Sequence, residues 1–94
     1  MNKNKIAISS LALDLKRVAT LYFAGSEKSA QRFSEEALKR TAEIDRDKIP
    51  QYINEALNKV KVVLNKKAKL EKAEDALMYS TIFQNYVLTF KINP

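Results

Sequence analysis

The chain contains no cysteine and no histidine. The first absence removes disulfide staples, thiolate nucleophiles and cysteine metal sites, and it fits a cytoplasmic protein. The second removes the imidazole base, the His-x-x-x-His zinc pair and every His-assisted triad or dyad. Glycine occurs once and proline twice, one of them the last residue, so the turn punctuation of an all-β chain is missing. The sequence holds no phosphate loop, dinucleotide fingerprint or paired nucleophile and base. Neither an enzyme activity nor a cofactor is expected.

What remains is a helix-forming sequence. At 94 residues and 46% apolar side chains, the chain fits one folded domain over residues 1–94. A domain of this size buries only about 60–65% of its unfolded surface, so association between copies is a ready source of stability. Met1 to Lys5 is basic, but Ser9, Ser10 and Asp14 interrupt the apolar run that follows, which is unlike a secretory leader.

Apolar residues recur every three or four positions at Ile8, Leu11, Leu15, Val18 and Tyr22, which predicts a first helix over about 5 to 24. Gly25 is its C-terminal cap and Ser26 the N-cap of a second helix, about 27 to 46, with Ala30, Phe33, Ala37, Thr41 and Ile44 on one stripe. Its outer face sets Glu35 four residues before Lys39 and Glu36 four before Arg40, a spacing that favours ion pairs. A third helix, about 48 to 64, takes Pro50 in its first turn and gathers Ile49, Tyr52, Ile53, Ala56, Leu57, Val60, Val63 and Leu64 into a narrow arc. The arc breaks at residues 65–68, where a turn is expected with Asn65 left-handed. The fourth helix covers about 69 to 90. The expected fold is an all-α antiparallel four-helix bundle; the alternative is three helices, the third running from about 49 to 90.

Function has to be sought in surfaces. "ALMYSTIFQNYVLTF", residues 76 to 90, carries no charge in a chain where 30% of residues are charged. It is too short and too polar to span a membrane. Its apolar sector exceeds the single stripe that a small bundle needs, so the last helix is expected to meet a second subunit or another protein. The expected contact residues are Tyr79, Phe83, Tyr86 and Phe90 as anchors, with Ile82 and Met78 as filling.

The alternative is nucleic-acid binding along a lysine ridge of Lys59, Lys61, Lys66, Lys67, Lys69 and Lys72, in a chain of net charge +6. No arginine-rich reading helix or interleaved aromatic platform accompanies that ridge. Small basic helical bundles also serve as immunity or antitoxin-type proteins, an analogy of shape and size. Glu71, Glu74 and Asp75 share a helical face, but without histidine they are expected to serve the first turn of helix four and bind no metal. Asp14, at the edge of the first apolar stripe, is expected to be a rim carboxylate paired with Arg17; if buried, it would need a partner such as a tyrosine hydroxyl of helix four.

Overall fold

The computed structural model describes the backbone of residues 2–92 and the side chains of residues 2–89. Among these residues the chain forms four α-helices, α1 (Lys3–Phe23), α2 (Glu27–Ala42), α3 (Gln51–Leu64) and α4 (Lys69–Ile92), with a 3-10 turn at Arg46–Lys48. α1 starts under the side chain of Asn2, which accepts from the backbone N–H groups of Asn4 and Lys5 and so satisfies two of the donors that a helix start leaves open. It stops at Gly25, whose φ of 80° lies in the region that favours glycine. Ser26 occupies the N-cap of α2 without a side-chain cap bond.

The helices form an up-down-up-down ring in which α1 packs extensively on α2 and α4, α3 packs more sparsely on α4, and α2 touches α3 least. Small side chains permit the close approaches. Ala30, Ser34 and Ala37 form the buried stripe of α2, and Ala73, Ala76 and Ser80 that of α4's first half. Ser80 Oγ donates to the Ala12 carbonyl at 2.8 Å, joining α4 to α1 at mid-length. One core holds Ile8, Leu11, Leu15 and Val18 of α1 with Ile53 and Val60 of α3 and Phe83 of α4.

The turn at residues 65–68 separates α3 from α4, so the three-helix alternative is excluded. Asn65 is not left-handed: its φ is −95°, and its N–H bonds back to the carbonyls of the last turn. Lys66 supplies the rest of the closure by donating to Glu71 and Asp75 at the start of α4.

The second helix ends at Ala42 rather than 46. Ile44 still reaches the core, but from an irregular segment, which is why its place on the stripe misleads. That segment is pinned from a distance by Asn4. Its amide donates to the Asp45 carbonyl at 2.9 Å and accepts from the Asp45 N–H at 2.8 Å, a two-way clamp between the start of α1 and the α2–α3 connection. Asp45 caps the 3-10 turn, and Pro50 is the extended N-cap of α3, one position ahead of its first turn.

The expected four-residue ion pairs on α2 are replaced by others. Lys39 pairs with Glu36, and Arg40 turns to Glu43 and across to Asp14. Asp14 is therefore buried, 6% exposed, and its partners are Arg17 at 3.8 Å and Arg40 of α2 at 3.9 Å, not a tyrosine of α4.

Candidate functional site

α3 and α4 stand far enough apart to leave a groove of about 620 Å³ along their outer side. On α3 the wall is Tyr52, Glu55, Ala56 and Lys59, at successive steps of three, one and three, which places them on one helical face. On α4 it is Tyr79, Ile82, Tyr86 and Thr89, with Asn85 at the edge. Ala56 is buried and small, which leaves room between the flanking tyrosines.

Tyr52 and Tyr86 meet edge to face across the groove, ring centroids 6.2 Å apart and planes at 90°, the geometry that ring quadrupoles prefer. Burial, and then the neighbouring Tyr52, push the Tyr86 phenol above its ordinary range, so it stays neutral and keeps its hydrogen-bonding proton. Tyr52 is 55% exposed even though its sequence position lies on the core arc of α3. Only one end of the arc turns outward, and that end forms the groove.

Charge in the groove is balanced. Glu55 accepts a long hydrogen bond of 3.4 Å from Gln51 Nε2, one turn before it. Lys59 has no acid within ion-pair range among the described residues.

The contact residues expected on the last helix divide into groups. Tyr79, Ile82 and Tyr86 line the groove, half-buried, and Met78 lies exposed beyond it. Phe83 is fully buried in the chain's own core and is no anchor for another molecule, because the core side of α4 also runs through position 83. Phe90 lies outside the described side chains. Tyr52, Glu55 and Lys59 complete the groove. The visible signal was a large amphiphilic tyrosine in an aliphatic arc, with an acid and a base four residues apart beside it.

The lysine ridge does not form one surface. Lys59 stands in the α3–α4 groove, whereas Lys66, Lys67, Lys69 and Lys72 surround a separate hollow at the end of the bundle with Tyr22 and Glu27. Within that hollow Lys66 is held by Glu71 and Asp75, Lys69 pairs with Glu27, and Lys72 sits over the Tyr22 ring, 4.8 Å from its centroid. The two carboxylates push the Lys66 ammonium above its ordinary range. Lys61 and Lys67 are exposed.

Among the described residues no group of three or more acids is placed to hold a metal, and Glu71 and Asp75 are committed to Lys66. No helix among them is long and apolar enough to cross a membrane. Comparison with protein-family models, curated proteins and solved structures finds no match for the chain, so the groove is interpreted from its own chemistry.

Proposed function

We propose that the chain is a non-enzymatic, cytoplasmic interaction protein that works as a homodimer, joined through the α3–α4 groove. The observation that carries this reading is the self-complementary charge of the groove: Glu55 and Lys59 lie one turn apart on α3 beside exposed aromatic surface. A twofold axis perpendicular to the helices sets Glu55 of one copy opposite Lys59 of the other, twice, while Tyr52, Tyr79 and Ile82 pack between them. Tyrosine suits such a contact because it brings a large apolar ring and a polar tip with few rotatable bonds. Size agrees as well. With extents of 40 × 20 × 18 Å, the molecule has room on a long side for the roughly 800 Å² per partner of a standard-sized interface.

Exchange of the two charges tests the reading. Lys59→Glu leaves two acids facing two acids and should weaken the dimer by about tenfold or more. Adding Glu55→Lys restores opposite pairing and should recover most of that loss. Equal dissociation constants for the wild-type chain and the single variant would contradict the twofold contact.

The lysine ridge supports nucleic-acid binding less well, because Lys66, Lys69 and Lys72 already have partners. Salt-sensitive binding to mixed DNA or RNA, lost on Lys67→Glu, is the result that would revive it.

A further inference from the structure

α2 separates an apolar face from a polar one, and α3 does so apart from the exposed Tyr52 and Val62, whereas α1 and α4 carry several large apolar side chains outside as well as inside. Such helices are built to be covered on more than one side. Where α1 and α4 run together, Ile6 and Leu13 of α1 and Leu70, Leu77 and Leu88 of α4 remain between 40% and 64% exposed. The seven-residue steps from 6 to 13 and from 70 to 77 align them along the helix axes. Phe23 extends the strip at the Leu70 end, for a length of roughly 25 Å at about 1.5 Å per residue.

A groove of about 420 Å³ between the two helices forms the middle of the strip, where Leu13 and Leu77 flank Lys16, Thr81 and Gln84. None of its lining residues is acidic. Lys5 lies on the same side of α1 by helical period, and Glu74, exposed on α4, stands at the outer edge.

We infer that this strip is a contact surface for an anionic lipid bilayer, the leucines and Ile6 entering the headgroup boundary and Lys5 and Lys16 meeting lipid phosphates. Apolar insertion and cationic attraction together make a reversible interfacial contact, and the net charge of +6 adds a long-range pull. The contact is peripheral. A second copy is the poorer occupant, because a symmetric contact through this strip brings lysines toward lysines without an acid among the groove residues to offset them. A protein partner is less suited too: all four tyrosines lie off the strip, and apart from Phe23 at one end and Glu74 at the outer edge its composition is aliphatic, lysine and neutral polar. The strip lies on a different side of α4 from the α3–α4 groove, so its test is independent of the dimer.

Co-sedimentation with phosphatidylcholine vesicles, with and without a quarter of phosphatidylglycerol, tests the inference. The chain should bind the anionic vesicles and leave the neutral ones. Lys16→Glu should lower the partition coefficient by roughly tenfold, as should Leu13→Ser with Leu77→Ser, both exposed positions whose folding is verified by circular dichroism. Lys61→Glu, the same charge change on the far helix, should lower it by no more than about twofold. Absence of binding, equal binding to neutral vesicles, or equal loss from Lys61→Glu would overturn the assignment. A change of oligomeric state in Leu13→Ser without lipid would overturn it as well, in favour of a protein contact.

Discussion

Asp14 carries its charge where little water reaches it. Burial raises its pKa, Arg40 and then Arg17 pull it down, Glu36 pushes it up again, and the net shift is upward. The two arginines are close enough for ionic attraction, but Asp14 Oδ2 and Arg40 Nε have no hydrogen-bond partner among the described residues, so attraction does not repay desolvation. The sign follows. Below the unfolded pKa, near 3.8, the carboxyl is protonated in both states and adds nothing. As pH rises through the higher folded value, ionisation favours the unfolded chain. Asp14→Asn should therefore be at least as stable as the wild type near neutral pH, with the difference closing near pH 3; urea unfolding at both values decides it. A variant clearly less stable at neutral pH would show that the arginine contacts dominate. Phe83 and Tyr52 make a second comparison. Phe83→Ala should cost about 3–5 kcal/mol of folding stability, as for a fully buried ring, whereas Tyr52→Ala should leave the fold nearly unchanged and weaken association about tenfold. Parallel urea unfolding and sedimentation separate the two effects.

At the scale of elements, the helices were legible from periodicity and their junctions much less so. The arc of α3 and the turn at residues 65–68 could be identified because one helix carries a single stripe and the chain then interrupts it. The end of α2 could not: Ile44 keeps the period while the backbone has already left the helix, since burial depends on position in space and not on local hydrogen bonding. Nor could the clamp from Asn4 to Asp45 be found, because an amide reaching a backbone 41 residues away has no local pattern. The groove was half legible. Tyr79, Ile82 and Tyr86 followed from the charge-free stretch, but Phe83 was placed on the wrong side, because an α4 that is apolar around its circumference gives no phase by which to choose inside from outside. The Asn4 clamp makes a prediction at this scale. Asn4→Ala leaves the Asp45 N–H without its partner and its carbonyl with the Lys48 N–H alone, at 3.3 Å, and should cost about 1–3 kcal/mol, read by urea unfolding, with faster hydrogen exchange at the Asp45 amide. A normal exchange rate there would mean that the connection is held by Ile44 and the 3-10 turn alone.

The whole molecule has two surfaces that follow from one feature, the apolar character of α4 on both of its flanks. One flank meets α3 and opens into the tyrosine groove; the other meets α1 and forms the aliphatic strip. In the proposed dimer, a twofold axis perpendicular to the helices and lying in the plane of the contact between copies would set Glu55 against Lys59. The same axis would leave the α1–α4 strips of both copies on one side of the proposed dimer, where both could rest on one lipid surface. The dimer is the central claim. Sedimentation equilibrium of the unmodified chain, from low to high micromolar concentration, tests it most directly. A single reversible transition from monomer to dimer is predicted, and a mass of one chain at the highest concentration would contradict it.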